Sequence, residues 1–244
     1  MELSGITDIG KVRQQNQDVY RTLYDERSGI AVLVVCDGMG GANAGNIASE
    51  TAAETFMAFM SGYLAQSNNW DSLSLIMGDA VLAANSAVYQ RSLLDPECMG
   101  MGTTLVAAAV CPDSEVVVNI GDSRAYHVTD DTIRQITKDH SVVENMVARG
   151  ELSREAAKDH PNKNLITRAL GTGWNEEPDV FFTGLRAGEY LLLCSDGLTN
   201  TVPDREIHGV LRRGDTINSS CRQLVSLALS RGAPDNVTVV LLRK

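Results

Sequence analysis

Basic residues are in short supply: 21 Lys and Arg face 31 Asp and Glu, a formal net charge of −10 at pH 7. A surface field of that sign repels nucleic-acid phosphates and anionic lipid head groups, which argues against nonspecific DNA binding. Long apolar runs are also missing. The longest, such as 30–36 and 105–111, fall far short of the roughly 20 residues a membrane helix needs, so no segment is expected to span a bilayer. Cysteine is sparse and unpaired in pattern: five residues (Cys36, Cys98, Cys111, Cys194, Cys221), an odd number without a C-x-x-C. The opening MELSGITDIG lacks the basic and apolar regions of a secretory signal, so reduced thiols in a cytoplasm are expected. The four histidines (His127, His140, His160, His208) are too dispersed for local zinc-ligand spacing, and neither G-x-S-x-G nor G-x-x-x-x-G-K occurs. Zinc hydrolase, serine hydrolase and P-loop chemistries therefore lose support. No repeat, low-complexity tract or Pro/Ser-rich linker divides the 244 residues, so a single domain spanning 1–244 is the expected organisation.

What is present is a succession of short β-branched runs bounded by Gly, Asp, Asn or Pro. They predict strands near 2–8, 17–24, 29–36, 103–111, 115–120, 124–129, 132–137, 179–184, 189–194 and 236–243. Several are separated by only a few residues, as antiparallel meanders require. Between the third and fourth the period changes. Ile47, Thr51, Ala52, Phe56, Phe59, Met60 and Tyr63 fall on one helical stripe, and Leu73, Ile76, Ala80, Val81, Ala84 and Val88 on another. Ser141 and Glu144 have capping-box spacing with Gly150 as a stop, Ser153 can cap a short helix ending before Pro161, and a last helix is predicted over 216–230, closed by Gly232. Many strands with helices inserted in pairs predict an α+β fold of two antiparallel sheets packed face to face, with helices on the outer faces.

One local pattern recurs. AVLVVC runs into Asp37-Gly38 and YLLLCS into Asp196-Gly197; VVVNI leads to Gly121-Asp122, and Pro234-Asp235-Asn236 precedes the final strand. Any one Asp-Gly pair by itself reads as an ordinary turn. Four carboxylates at the ends of apolar strands read differently, because converging like charges need a cation between them, and all-oxygen ligands favour Mg²⁺ or Mn²⁺ over zinc. Arg13, Asn16 and Asp18 form a polar group ahead of the second strand. Arg13 alone reads as a surface partner of a nearby acid, although its planar fork also matches phosphate oxygens.

R-x-x-N-Q-D (Arg13–Asp18), D-G-M-G-G (Asp37–Gly41), G-M-G-T-T (Gly100–Thr104), G-D-S-R (Gly121–Arg124), S-D-G-L (Ser195–Leu198) and D-N-V-T (Asp235–Thr238) occur in that order. From Thr7 to about Leu242 the chain resembles the metal-dependent protein phosphatases, the type 2C serine/threonine phosphatases, in their compact bacterial form. The resemblance implies a four-layer α-β-β-α sandwich with the site at one end, and a mobile flap at about 141–176. It implies two core Mn²⁺ or Mg²⁺ ions and a third, weaker one. Asp37 would bridge the core pair, the Gly38 carbonyl would ligate one ion, and Asp196 and Asp235 would hold the other. Asp18 would act through a metal-bound water, Asp122 with Asp196 would hold the third ion, and Arg13 would bind the substrate phosphate. A metal-bridging hydroxide would then attack phosphoserine or phosphothreonine directly. Partners implied are phosphorylated proteins and a cognate bacterial Ser/Thr kinase; no nucleic acid or membrane partner is expected, and the protein is expected to be a cytoplasmic monomer.

The chain departs from the family where a leaving-group acid is expected. Animal relatives carry His after the bridging Asp-Gly, and many bacterial ones carry it after the following glycine pair; here those residues are Met39 and Ala42. His140 or a metal-bound water could substitute, while a plain helix-entry role beside Ser141 competes for His140. Cys36 and Cys194 adjoin proposed ligands and read first as small apolar strand residues, with ligation or redox sensing as the lesser reading. A catalytically silent phosphoprotein-binding member and a two-metal phosphodiesterase are the competing functions. The retained aspartates disfavour the first and the acidic charge the second.

Overall fold

In the computed structural model, which describes residues 1–40, 44–66, 72–214 and 216–244, the apolar strands fail to alternate because they are buried on both faces. The chain begins with β1 (Glu2–Asp8), β2 (Asp18–Asp25) and β3 (Ile30–Met39), followed by the helices α1 (Ala44–Gln66) and α2 (Leu73–Leu94). A 3-10 turn at Pro96–Cys98 leads into β4 (Gly102–Thr103), β5 (Leu105–Val110), β6 (Glu115–Ile120), β7 (Arg124–Val128) and β8 (Ile133–Gln135). Next come α3 (Val142–Ala148), α4 (Arg154–Lys158), β9 (Asp179–Phe181), β10 (Tyr190–Cys194), α5 (Asp196–Thr199), α6 (Asp204–Leu211), α7 (Ile217–Ser230) and β11 (Val237–Arg243).

The strands form two antiparallel sheets, ordered β1-β11-β10-β7-β8 and β2-β3-β5-β6-β9, with β4 pairing to the end of β3. Along β3 the side chains sort by parity. Ala31, Leu33 and Val35 pack between the sheets with Val106, Ala108, Leu191, Leu193 and Val240. Val32, Val34 and Cys36 point the other way, onto α1 and α2. Strand β10 does the same, with Leu192 and Cys194 facing α6 and α7. The result is the expected α+β sandwich with helices on both outer faces. Among the described residues no helix is long and apolar enough to cross a membrane.

The helix pair over the second sheet is built on small residues. The buried stripe of α1 runs through Ala48, Ala52, Phe56, Met60 and Leu64, whereas Phe59, placed on the stripe from sequence, is 38% exposed. Ser141 caps α3 by accepting from the Glu144 N–H at 3.2 Å, and Ser153 caps α4 by accepting from Ala156 at 3.2 Å, as their spacing predicts. Neither helix buries a residue.

Several elements differ from the sequence reading, among them the strand expected over 132–137, which spans only Ile133–Gln135. β3 does not stop at residue 36 but continues through Asp37-Gly38-Met39, because Gly38 and Met39 pair with Thr103 and Gly102. The expected strand 103–111 is accordingly split, with Thr104 between β4 and β5. The strand predicted over 179–184 ends at Phe181, and α5 and α6 have no counterpart in the sequence reading. The latter opens on Pro203-Asp204, a start signal for a helix too short for its stripe of Ile207, Val210 and Leu211 to register as periodicity.

Candidate active site

Sheet topology collects the carboxylates. β2 and β3 are antiparallel with Asp18 opposite Asp37, so the start of one strand and the end of the other share an edge of the sandwich. β3 and β6 are each antiparallel to β5 and hence run the same way, which brings Asp122, after β6, to that end. In the other sheet Cys194 at the end of β10 faces Val239 near the start of β11, so Asp196 and Asp235 emerge together.

Hydrogen bonds to the backbone or to the carboxylate itself hold these residues in place. The Asp37 N–H donates to Thr104 Oγ1 at 3.0 Å, and its carbonyl accepts from the Thr104 N–H at 2.9 Å and from Thr103 Oγ1 at 2.9 Å. Thr104 Oγ1 also lies 2.8 Å from Ser123 Oγ, tying the Asp37 strand to the Asp122 turn. Gly38 is fixed as glycine by close approach, since a Cβ there would stand 2.0 Å from the Gly45 carbonyl oxygen at the start of α1. Asp18 is buried, and its Oδ2 accepts from Ser195 Oγ and Thr238 Oγ1, both at 2.7 Å. Asp196 Oδ2 accepts from Asn200 Nδ2 at 2.9 Å. Arg13 NH2 donates to Asp235 Oδ2 at 2.6 Å. The local pairing that the sequence left open for Arg13 is thus to one of the proposed ligands.

These groups line a cavity of about 240 Å³ that takes in Arg13, Asp37, Gly38, Asp122, Asp196 and Asp235. A larger hollow of about 740 Å³ runs along the β2 edge past Arg21 and Glu50, but it holds only Asp18 of the carboxylate set, so the smaller cavity is the chemical one. Burial, and then repulsion from Asp18, Asp196 and Asp122, drives the Asp37 carboxyl well above its ordinary range. Burial and then Asp196 push Asp122 up to about 8; burial and then Asp235 push Asp196 to about 6. Asp18 rises to about 7 by burial, opposed by its two hydroxyl donors. No group of three or more His, Cys, Asp or Glu among the described residues is arranged to enclose an ion outright. The donor set nonetheless fits hard cations: all oxygen, strongly anionic and mutually repelling. Asp18 Oδ1 adds a direct sign, being buried without a hydrogen-bond partner, which a cation or its water would supply.

Residues with no role assigned from sequence also shape the site. Asn236 is buried; its Oδ1 accepts from the Gln17 N–H at 2.8 Å and its Nδ2 donates to the carbonyls of Ile9 and Gln15 at 2.9 and 3.0 Å. It staples the segment carrying Arg13 to the loop carrying Asp235. Asn236→Ala is expected to cost about 1–2 kcal/mol of stability through those bonds, read as a shifted denaturation midpoint; an unchanged midpoint would show the loop held by other means. Asn164 and Ile166 form a further wall of the cavity, together with Met39. Only the Asn of D-N-V-T was visible as a motif residue; Asn164 and Ile166 carried no signal.

The candidate acid is elsewhere. His140 Nδ1 accepts from the Gly121 N–H at 3.1 Å and Nε2 lies 3.3 Å from Asp179 Oδ2, so both ring nitrogens are engaged and the ring is not among the residues lining the cavity. Burial and then Arg168 hold its pKa below the usual imidazole value. Gly41 and Ala42 lie outside the described residues. Cys36 and Cys194 are fully buried in the two helix-facing cores, and burial raises both thiols, which leaves them as packing groups.

The family model described as protein phosphatase 2C matches residues 10–233. The serine/threonine phosphatase stp of Listeria innocua is 35% identical over 98% of this chain and 94% of its own. The crystal structure of serine/threonine phosphatase Stp1 from Staphylococcus aureus superposes with a TM-score of 0.94 at 37% identity, covering 100% of this chain and 94% of that one. The catalytic domain of serine/threonine protein phosphatase PstP, solved in complex with two manganese ions, superposes with a TM-score of 0.84 at 36% identity, covering 98% and 96%.

Proposed function

The chain belongs to the protein phosphatase 2C family and is a metal-dependent serine/threonine phosphatase; on that premise we propose how its residues divide the work. The observation that carries the reading is the convergence of Asp37, Asp122, Asp196 and Asp235 on one cavity with Arg13 at its side. Asp37 and the Gly38 carbonyl would hold one cation, Asp37 bridging to a second held by Asp196 and Asp235. Asp18 would reach this pair through water, and Asp122 with Asp196 would hold a third, weaker ion. The manganese bound by the PstP catalytic domain makes Mn²⁺ the first candidate, with Mg²⁺ as the alternative of like chemistry. When bound, the cations supply the Lewis acidity that lowers the pKa of the attacking water and offsets charge on the phosphoryl oxygens.

The chain's own groups do the rest. Five N–H donors on the Arg13 guanidinium exceed what one carboxylate can take up, so it can orient a phosphate while it remains beside Asp235. The anchored backbone of Asp37 fixes the reacting geometry before substrate arrives, which is where most of the stabilisation of the in-line transition state is expected to arise. Water rather than a side chain is the nucleophile: a P–O bond forms to it as the ester P–O bond breaks and the serine or threonine alcohol departs. With Met39 at the cavity and both ring nitrogens of His140 engaged elsewhere, no histidine among the described residues lines the cavity to protonate that alcohol, so the proton it takes up comes from water. We read the 141–176 segment as a flap on a single catalytic domain, supported by Asn164 and Ile166 at the cavity wall, and the substrates as phosphoproteins made by a Ser/Thr kinase.

Turnover of p-nitrophenyl phosphate and a phosphothreonine peptide should depend on added Mn²⁺ and cease in EDTA, with bis-p-nitrophenyl phosphate left intact. Activity surviving EDTA would sink the cation reading. Preferential cleavage of the bis-ester would make the site a phosphodiesterase.

A further inference from the structure

Asp139 and His140 grip the turn that presents Asp122 from both of its ends. At one end the His140 N–H donates to the Gly121 carbonyl at 2.9 Å, and the Gly121 N–H donates back to His140 Nδ1 at 3.1 Å. Gly121 sits at φ +103°, in the left-handed region, and a Cβ there would meet the Thr104 side chain at 2.5 Å. At the other end the Asp139 carboxylate takes a bidentate contact from Arg124, with Nε at 2.9 Å to Oδ1 and NH2 at 2.6 Å to Oδ2, while Gln135 Nε2 donates to Oδ1 at 2.8 Å. Two consecutive residues thus fix both flanks of Gly121–Arg124. The same histidine reaches the segment bearing Ile166. Its carbonyl accepts from the Thr167 N–H at 2.7 Å, and its Nε2 shares the Asp179 carboxylate with Arg168 NH1, which stands 2.9 Å from Oδ1.

We infer that Asp139 and His140 are positioning residues for Asp122, setting where its carboxylate stands and linking that placement to the root of the 141–176 segment. The inference rests on the reading of Asp122 as a ligand of the weaker cation. A ligand on a glycine-led turn is swung by small changes in that glycine's dihedrals, and metal sites tolerate only about 0.5 Å of such error. Groups that orient ligands from behind typically change metal affinity by about 10- to 100-fold when removed.

The two ring nitrogens can be tested separately. An Asn side chain places Oδ1 near the position of Nδ1 and can still accept from Gly121, whereas Gln reaches toward the Nε2 position and leaves the Gly121 N–H without its acceptor. Calorimetric titration with Mn²⁺ alone should show two tight ions in wild type, His140→Gln and His140→Asn. The weaker class should bind about tenfold less tightly in His140→Gln and within twofold of wild type in His140→Asn. Both variants lose the ring's packing, so a merely structural role would move them together in melting temperature and leave weak-site affinity alone. Equal weak-site affinity in the Gln and Asn variants would overturn the inference. Should His140→Gln not fold, Asp139→Asn, which weakens the Arg124 grip, is expected to lose weak-site affinity with the tight ions kept; wild-type affinity there would overturn it as well. An Asp122→Ala protein that retains the weak class, or a wild type that lacks it, would instead overturn the assignment of Asp122 on which the inference stands.

Discussion

Asp37→Ala is expected to lower turnover by about a thousandfold or more, at least about 4 kcal/mol of transition-state stabilisation, while the protein still folds. The two halves of that expectation have separate causes. The strand position of residue 37 is set by its backbone bonds to Thr103 and Thr104, none of which uses the carboxylate. The carboxylate itself is held at a cost, being buried and facing Asp18, Asp196, Asp122 and Asp235. Its removal relieves repulsion within the cluster, so melting in metal-free buffer should hold or rise. With metal present the variant should gain less from Mn²⁺ than wild type does, because ligand binding stabilises in proportion to affinity. A fully active Asp37→Ala protein would remove this residue from the centre of the site. A variant that fails to fold would make it structural.

The sandwich was legible because its strands are punctuated and its helices come in pairs, and because β3 and β10, buried on both faces, read as unbroken apolar runs. The boundaries that slipped share a cause. Asp37-Gly38 carries turn chemistry, yet the pair is extended because Asp18 stands opposite Asp37 and Gly102-Thr103 arrives from far along the chain to pair with Gly38-Met39, and local propensity has no view of such partners. The aspartates were legible for a different reason: each follows or precedes a strand, and ordered motifs mark them. What the sequence could not display is the hydrogen bonding behind them. Thr104, Ser123 and Asn236 stand in the quoted motifs and His140 beside a helix start, but the bonds they and Asp139 make act across long separations, and nothing in the local sequence shows those partners. His140 is the instructive instance. A histidine near an incomplete acid site invites a catalytic role, but its ring is turned to Gly121 and Asp179, a direction that only the fold determines.

Arg13→Ala should reduce kcat/KM for phosphopeptide by about ten- to hundredfold, the roughly 1.5–3 kcal/mol of a hydrogen bond to a charged group, while stability barely moves. Arg13 is half-exposed, with side-chain exposure of 52% against 33% for its partner Asp235. Ion pairs so placed contribute about 0–1 kcal/mol, so the 2.6 Å contact is a poor reason to retain an arginine for the fold. Its value lies in where it holds the guanidinium, at the side of a cavity that also takes in the carboxylates of Asp37, Asp122, Asp196 and Asp235. Without a cation on the chain itself, a dianionic phosphate would approach a set of negative charges offset only by the bound metal. Arg13→Lys separates the contributions: the charge remains, but the planar fork that matches two phosphate oxygens is gone, so an intermediate loss is expected. Loss of the Asp235 partner has its own signature, since a freed carboxylate would alter Mn²⁺ affinity as well as substrate affinity. A variant with wild-type kinetics and a lowered melting temperature would return Arg13 to a structural pairing. One with unchanged Mn²⁺ affinity and a raised KM would place its whole contribution on the phosphate.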